Sequence, residues 1–318
     1  MSEIRVLIHS DDAEASLGAA RERAPGAAFF ACETYADLPR ALEEIAPEVV
    51  YTIRFDGTPT FPRDALLSAP SVRWISVGGS GTDHLAPWPT ERLTVTNAAG
   101  VAADMMAEYA IGGTLHFTLN FDRFDADRRA RRWTAGSVAR LAGQTLLIVG
   151  LGATGQATAR RAKALGMTVI GTRASGAPTV GCDEVGRPED LPTLLPRADA
   201  LMLSVPLSDA TRGLIGAEAL AALPEGAILI DVSRGGVVDQ TALAAALSKG
   251  RLRGAVIDVF ETEPLPAASP FWDFENVILT PHCSSVYPGW REKSLEMFLE
   301  NLRRFSASEA LNNVVAPR

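Results

Sequence analysis

The stretch IVGLGATG, from Ile148 to Gly155, decides how this sequence is expected to fold. It ends the apolar run QTLLIVG, which predicts a buried strand, and opens the run GQATARRAKALG, which predicts a helix. Glycines in this context are typical of a dinucleotide-binding turn. Gly150 permits the tight turn, Gly152 lets the backbone approach a pyrophosphate, and Gly155 lets the helix pack closely on the sheet. The N–H groups of the helix start, from Ala153 onward, would face the phosphate charge.

Short apolar runs alternate with alanine-rich helical runs on both sides of this stretch. Before it, the runs that predict strands are IRVLIHS, EVVYTIR and VRWISVGG, with the amphipathic helix pattern YADLPRALEEIA between the first two. From it onward they are QTLLIVG, MTVIGT, ADALMLSVP, AILIDVS, GAVIDVF and VILTPH. This alternation predicts an α/β protein with two Rossmann-like, doubly wound parallel-sheet domains and a cleft between them.

The last helix pattern, WREKSLEMFLENLRRFSA, follows the final predicted strand and has no place left in the second domain. We therefore expect it to return to the first. The first domain is then discontinuous, with residues 1–98 plus 287–318 forming a flavodoxin-like substrate domain. Residues 99–286 form the inserted dinucleotide-binding Rossmann domain. The pattern AADMMAEYAIGGTLHFTLNFDRFDADRR predicts a long helix that joins the two.

Composition argues against several classes of protein. The 318 residues carry a net charge of -8, and phosphate binding along a nucleic acid needs a concentrated basic surface. No apolar stretch reaches the length of a membrane span, and the opening IRVLIHS predicts a strand rather than a secretory signal. The spacing of Cys32, Cys182 and Cys283 indicates neither a disulfide framework nor a zinc site. We expect a cytoplasmic protein with neither a nucleic-acid nor a membrane partner.

The strand after the glycine turn ends in VIGTRASG, where a ribose-binding Asp or Glu is expected. No acid is present, and Arg173 stands at that place. An arginine there would pair with a 2′-phosphate, and Thr172 and Ser175 would add hydroxyl donors. The sequence therefore predicts NADP(H) in preference to NAD(H). The alternative is that Arg173 is an ordinary surface residue after a strand.

Ionisable residues follow three later strands, in DVSRGGVVD (Arg234), DVFETEPLP (Glu263) and LTPHCSS (His282). Strand ends at the carboxyl edge are where an open α/β sheet builds its site. Hydride addition to a ketone needs a proton donor, which a histidine supplies, and a neighbouring carboxylate stabilises its protonated form and fixes its orientation. An arginine offers a forked donor to the carbonyl and carboxylate of a 2-oxo acid. Singly, each has a structural alternative, as a surface ion pair, a loop acid or a buried histidine.

Together these motifs resemble the D-2-hydroxyacid dehydrogenase family, D-isomer specific. The resemblance covers nearly the whole chain and rests on GLGATG, PLSDATRGLIG, DVSRGGVVDQTAL, DVFETEPLP, TPH and the NLRRF helix. It implies that Arg234 binds substrate, that His282 is the general acid/base and that Glu263 is its partner. It requires no metal.

The resemblance implies further site residues. The stretch GGSGTDHL looks like the family's substrate loop, so the backbone N–H groups of Ser80 and Gly81 would hold the substrate carboxylate. Asp258 would lie near the nicotinamide amide, and Val205, Thr211 and Val232 would line the cofactor. The complete predicted cofactor-binding set is Gly150, Gly152, Ala153, Thr154, Gly155, Thr172, Arg173, Ser175, Val205, Thr211, Val232 and Asp258.

The linker MMAEYAIGGTLHFTLNFDRFD is similar to that of the NADPH-dependent glyoxylate/hydroxypyruvate reductase branch. The family also implies a homodimer with the segment from Met105 to Arg132 at the interface. Two features depart from its pattern. Met105 and Met106 stand where many relatives have small residues, and Arg54 belongs to no substrate loop that the resemblance assigns. Arg54 would either reach the substrate or lie on the surface.

These features predict a cytoplasmic enzyme that reduces a small 2-oxo acid, glyoxylate- or hydroxypyruvate-like, to the D-2-hydroxy acid with NADP(H). One alternative is a nicotinamide-sensing, corepressor-like binding protein on the same fold, for which the Arg234, Glu263 and His282 set would be unnecessary. The other is a dehydrogenase of formate or phosphite type, which would oxidise a one-carbon or inorganic anion.

Overall fold

The computed structural model describes residues 3–54 and 61–317 of the chain. The chain divides into two compact units, Met1–Val101 with Tyr287–Arg318, and Ala102–Val286. Each unit has its own parallel sheet and its own buried apolar clusters. The predicted fold class, two parallel-sheet α/β domains of Rossmann type, is confirmed.

The described residues of the first unit form a sheet of five parallel strands in the order β2-β1-β3-β4-β5. Up to the end of this sheet its elements are β1 (Ile4–His9), α1 (Ala13–Arg23), β2 (Ala27–Cys32), α2 (Leu38–Ile45), β3 (Val49–Thr52), α3 (Arg63–Ser68), β4 (Trp74–Val77) and β5 (Thr94–Asn97).

The hydrophobic pattern predicts β1, β3 and β4 but misses β2 and β5, which are the two edge strands. An edge strand is partly open to water, so its sequence needs no continuous apolar run. In β2, Phe30 is 37% exposed, and β5 has the mixed sequence TVTN. The central strands β3 and β4 are buried at every position and carry the signal that the sequence displays.

The second unit holds a larger parallel sheet, with described strands in the order β12-β11-β10-β9-β6-β7-β8. Its elements are α4 (Ala103–Thr118), α5 (Phe121–Arg129), β6 (Thr145–Val149), α6 (Ala153–Ala164), β7 (Thr168–Thr172), β8 (Glu184–Gly186), α7 (Leu191–Leu194), β9 (Ala200–Leu203), α8 (Ala217–Ala222), β10 (Ala227–Asp231), α9 (Gln240–Ser248), β11 (Leu252–Ile257) and β12 (Val277–Leu279), with short 3-10 turns at Pro188–Asp190, Leu195–Arg197 and Pro270–Asp273. The order reverses between β6 and β9, and ligands of such sheets bind at that point.

Two details of the second unit differ from the sequence prediction. The short edge strand β8, with the sequence EVG, is an addition to the six predicted strands. The long linker helix is two helices rather than one. The break lies at Asn120, whose φ of 57° places it in the left-handed region that ends a helix.

The last helix, α10 (Trp290–Ser306), packs on the first unit. Its apolar residues Leu295, Phe298 and Leu302 share a buried cluster with Trp74 of β4. Within that cluster the Tyr51 hydroxyl donates to Ser294 Oγ at 2.9 Å. Burial of this apolar face, rather than any single bond, is what stabilises the docked helix.

Candidate active site

The glycine turn after β6 is fixed from several sides. The N–H groups of Gly150 and Leu151 both donate to the main-chain oxygen of Thr172, at 3.1 and 3.0 Å. Ser204, which follows β9, donates its hydroxyl to the Gly150 oxygen at 2.7 Å. A Cβ atom at Gly155 would stand 2.2 Å from that same oxygen, so only glycine lets α6 begin this close to the strand. The sequence analysis did not identify Ser204, which lies in the apolar run ADALMLSVP.

The start of α6 has the form of an anion cradle. Gly152 is its N-cap, no side chain caps it, and a Cβ atom added there would meet no atom within 4 Å. Among the described residues, no acceptor is bonded to the N–H groups of Ala153, Thr154 or Gly155. The Thr154 hydroxyl is directed elsewhere, to Met106 Sδ at 3.6 Å. Unpaired N–H groups beside an open glycine fit the diphosphate of a dinucleotide.

The end of β7 carries a guanidinium and no carboxylate. Thr172 is 2% exposed, and its contribution in this structure is the main-chain oxygen that holds the glycine turn. Arg173 Nη1 donates to Thr179 Oγ1 at 3.3 Å, and Ser175 Oγ accepts the Ala177 N–H at 3.3 Å. The two hydroxyl oxygens that accept these bonds, on Thr179 and Ser175, are neutral, so they leave the positive charge of Arg173 unbalanced.

Of the three predicted cofactor-lining residues, one lies beside the glycine turn, one in the loop after β9 and one at the end of β10. The Val205 side chain lies 2.7 Å from the position that a Cβ atom of Gly150 would occupy. Thr211 closes its own loop, donating its hydroxyl to the Pro206 oxygen at 2.7 Å and accepting the Ser208 N–H at 2.8 Å. Val232 follows β10 and is 3% exposed.

Three neighbouring strands, β10, β11 and β12, bring the predicted catalytic residues to one edge of the sheet, because the strands are parallel. His282 Nδ1 lies 2.8 Å from Glu263 Oε2, and Glu263 Oε1 accepts the Phe260 N–H at 2.9 Å. The imidazole is therefore oriented by a carboxylate that is itself held by the backbone. The His282 side chain is 36% exposed, so the pair is open to a small molecule.

Asp258 anchors the loop that carries His282. Its Oδ1 accepts the Thr280 hydroxyl at 2.6 Å and the Cys283 N–H at 2.8 Å, and its Oδ2 accepts the Ser284 N–H at 3.1 Å. These bonds span a loop in which His282 has a φ of 53°, a left-handed conformation that costs a histidine energy. Asp258 is 1% exposed and lies beneath the loop that carries His282.

Arg234 lies at the same edge, where its side chain bonds the main chain of Ser233 and the next residue, Gly235, packs on Phe260. Its Nη1 donates to the Ser233 oxygen at 2.7 Å. A Cβ atom at Gly235 would stand 2.0 Å from the Phe260 oxygen, so the Arg234 loop lies directly on the loop that leads to Glu263. The sequence analysis did not single out Gly235, because its close contact is with a segment further along the chain.

Ser80 and Gly81 belong to the first unit, in the loop after β4. The Gly79 oxygen accepts the Ala98 N–H at 2.9 Å, and the Ser80 oxygen accepts Asn97 Nδ2 at 2.6 Å. Because N–H and C=O point in opposite directions across a trans peptide, the N–H groups of Ser80 and Gly81 face away from β5. In the described part of the chain neither N–H has an acceptor. Asn97, at the end of a strand that the pattern missed, is a bracing residue that sequence reasoning did not find.

Arg54 is exposed directly after β3, and the segment that follows it, 55–60, lies outside the described residues. Over the described ranges, no cluster of His, Cys, Asp and Glu side chains is arranged to hold a metal ion. Over the same ranges, no helix combines the length and apolar character needed to cross a bilayer.

Residues 111–284 match the family model of the D-isomer specific 2-hydroxyacid dehydrogenase, NAD binding domain. The chain belongs to this family. It is similar to a glyoxylate reductase of Korarchaeum cryptofilum, with 35% identity over 270 residues, which cover 80% of each chain. It is also similar to a D-3-phosphoglycerate dehydrogenase of Methanocaldococcus jannaschii, with 33% identity over 86% of this chain. That match spans 53% of the relative, about half of its length.

The fold is also that of a solved family structure. An NADPH-dependent glyoxylate/hydroxypyruvate reductase of Sinorhizobium meliloti, in complex with NADP and sulfate, superposes with a TM-score of 0.85. The sequence identity is 26%, and the match covers 98% of both chains. The family resemblance read from the sequence is thereby confirmed. The reaction class of these relatives is oxidoreduction between 2-oxo and 2-hydroxy acids.

Proposed function

We propose that this chain reduces a small 2-oxo acid, of the glyoxylate or hydroxypyruvate kind, to the D-2-hydroxy acid with NADP(H). The observation that carries the proposal is the His282 and Glu263 pair at 2.8 Å, at the sheet edge that also holds Arg234. A binding protein has no need of a histidine held by a carboxylate in this way, whereas a ketone reductase needs a placed proton donor.

The nicotinamide, when bound, supplies the hydride that the carbonyl carbon receives. Glu263 occupies Nδ1 of His282, so Nε2 is the nitrogen left to give a proton to the carbonyl oxygen. The negative charge of Glu263 stabilises the imidazolium that donates this proton. In the reverse direction the same Nε2 takes the proton from the hydroxyl of a 2-hydroxy acid.

The substrate carboxylate is assigned to Arg234 and to the N–H groups of Ser80 and Gly81. A guanidinium offers paired donors to a carboxylate, and backbone N–H groups with no other acceptor add directional bonds. The bonds from the Ala98 N–H to the Gly79 oxygen and from Asn97 to the Ser80 oxygen support this role, because each fixes one of the two peptide planes before substrate arrives. All three groups recognise the 2-oxo acid core and leave the side chain to other contacts.

The cofactor preference follows from the end of β7. The ribose 2′-hydroxyl of NAD(H) is bound by a carboxylate in such domains, whereas the 2′-phosphate of NADP(H) is bound by positively charged side chains. Arg173 with Ser175, in a loop that carries no acid, favours the phosphate. The NADPH-dependent relative of Sinorhizobium meliloti supports the same preference. NADPH in turn favours reduction as the working direction.

The test is the loss of nicotinamide absorbance with NADPH and with NADH, against glyoxylate, hydroxypyruvate and phenylpyruvate. We expect NADPH to be consumed well ahead of NADH. His282→Gln should abolish turnover yet still bind NADPH in a fluorescence titration, which separates a lost proton donor from a misfolded chain. No turnover of any 2-oxo acid, with turnover of formate or phosphite instead, would replace this proposal by the formate- or phosphite-type alternative. NADPH binding with no turnover of either kind would favour the binding protein.

A homodimer is part of the same proposal, with the Met105 to Arg132 segment at the contact. In this region Phe121 is 52% exposed, and the adjoining Trp133 is fully exposed. Large apolar side chains left in water beside a helix pair mark a surface that a partner covers. Light scattering should give twice the chain mass of 33.8 kDa, and a single chain mass would contradict the proposal.

A further inference from the structure

The strand ends next to the glycine turn carry a second arginine that the sequence motifs do not assign. Strands β7 and β8 are parallel, and their last register pair is Thr172 with Gly186. The next residue along each strand is an arginine, Arg173 on one and Arg187 on the other. The Arg173 N–H donates to the Gly186 oxygen at 3.1 Å, so the two backbones still run side by side where these side chains leave them.

The loop after β7 brings the second side chain closer. The Gly176 N–H donates to the Arg173 oxygen at 3.0 Å, which closes a tight turn, and Gly176 has a φ of 62°. A Cβ atom at Gly176 would stand 3.1 Å from Arg187 Cγ and 3.4 Å from its Nε. The Arg187 side chain therefore packs against the turn that carries Arg173 and Ser175, at the point where Gly176 has no side chain.

The charges around Arg187 leave its guanidinium available. Of the two acids that follow on its own segment, Glu189 and Asp190, the second accepts the Arg187 backbone N–H at 2.8 Å. Glu184, at the start of β8, is paired with Arg197 at 2.7 Å. Across the described residues, neither Arg173 nor Arg187 has a carboxylate within 4.0 Å. Arg173 is half-buried and Arg187 is exposed. Two neighbouring cations repel each other, and an anion placed between them relieves the repulsion.

We infer that Arg187 is a second phosphate-binding arginine, which clamps the 2′-phosphate of NADP(H) together with Arg173. This inference rests on the proposed preference for NADP(H) and adds a residue to it. A phosphate monoester carries nearly two negative charges and three acceptor oxygens, more than one guanidinium satisfies. A ribose 2′-hydroxyl offers neither, so Arg187 acts on the choice between the two cofactors and not on the reaction itself.

Calorimetric binding of NADPH, NADH and adenosine 2′,5′-bisphosphate tests the inference without turnover. Arg187→Ala should weaken NADPH and the bisphosphate by roughly 10-fold or more, the size expected for a lost charge-assisted hydrogen bond, and leave NADH within about two-fold. Arg187→Lys, which keeps the charge but loses the fork, should fall between. Arg160→Ala removes an exposed arginine on α6 and is the control for net charge.

The outcomes separate the inference from the proposal beneath it. If Arg173→Ala weakens NADPH and Arg187→Ala does not, the second arginine is a bystander and the cofactor proposal stands. If Arg187→Ala weakens NADPH and NADH alike, the residue shapes the loop and does not read the phosphate. If the unaltered protein binds NADH as well as NADPH and ignores the bisphosphate, the cofactor preference itself is wrong.

Discussion

Gly235 lies so close to Phe260 that a side chain at Gly235 would meet the Phe260 backbone, with 2.0 Å between the added Cβ atom and the carbonyl oxygen. This contact joins the loop of Arg234 to the loop of Glu263. The Phe260 N–H also donates to Glu263 Oε1. The backbone of a single residue, Phe260, thus contacts both the arginine loop and the carboxylate that orients His282.

Gly235→Ala should therefore damage the site without unfolding the protein. The colliding atoms are backbone atoms, which cannot rotate away, so one of the two loops must shift. Misplacement of about 1 Å is enough to lower a rate by about 100-fold, so we expect kcat/KM for the 2-oxo acid to fall about 10- to 100-fold. Steady-state rates and NADPH titration measure this, and cofactor affinity should stay near its original value.

Gly216→Ala is the matched control for that change. A Cβ atom at Gly216 would meet nothing closer than 3.7 Å, and its φ of -91° suits alanine. Its kcat/KM should stay within about two-fold of the unaltered protein, since a substitution that collides with no neighbouring atom has a small effect. Equal activity in both variants would mean that the Arg234 loop has more freedom than the close contact implies.

Glu263→Gln should remove the orientation and charge that His282 receives while keeping the loop intact. The glutamine oxygen still accepts the Phe260 N–H, and its amide group would face Nδ1 of His282. An amide does not stabilise the imidazolium, so we expect kcat to fall by about 100-fold, within the range of general acid-base catalysis, with KM nearly unchanged. An unchanged kcat in initial-rate measurements would show that the pair is structural only.

Asp258→Asn should loosen the loop that carries His282. The carboxylate accepts bonds from Thr280, Cys283 and Ser284, and an asparagine amide group would oppose one of these donors with another donor. We expect a loss of about 1–3 kcal/mol in the free energy of unfolding, typical of an unsatisfied buried group, and a lower kcat. Urea unfolding and initial rates measure both, with the exposed Glu225→Gln as control. A stability loss with full activity would mean that His282 is held by Glu263 alone.

How much the sequence reveals depends on whether a feature is local. Short patterns predict the glycine turn, the succession of strands along the second unit, and the strand ends that carry Arg234, Glu263 and His282. They do so because a buried strand and a turn each leave a local signature. Ser204, Asn97 and Gly235 act through contacts between segments far apart in the chain, so no local pattern marks them. The edge strand β8 is three residues long and leaves no pattern, although it is what places Arg187 beside Arg173.

Asp231, at the end of β10, gives the second unit a pH-dependent stability. Burial, helped by the nearby Asp258 carboxylate and opposed by the bonds from the Ser233 hydroxyl and N–H, raises the pKa of this carboxyl to about 7. In the unfolded chain the group titrates near its ordinary value of 3.8. Between these two values the folded protein holds a proton that the unfolded protein lacks, so stability falls as pH rises through this window and the loss is complete above about pH 7.

Asp231→Asn should abolish this loss, because an amide has no proton to release and its oxygen still accepts from Ser233. The unfolding free energy of the variant minus that of the unaltered protein should rise by up to about 4 kcal/mol from pH 4 to pH 8. Urea unfolding at pH 4, 5, 6, 7 and 8 measures the difference. Buried His9, whose pKa is lowered to about 4, has the opposite pH dependence, but it is common to both proteins and cancels. If the unfolding free energies of the variant and of the unaltered protein ran parallel with pH, as expected for the exposed Asp209→Asn, Asp231 would be ionised in the folded protein throughout this range.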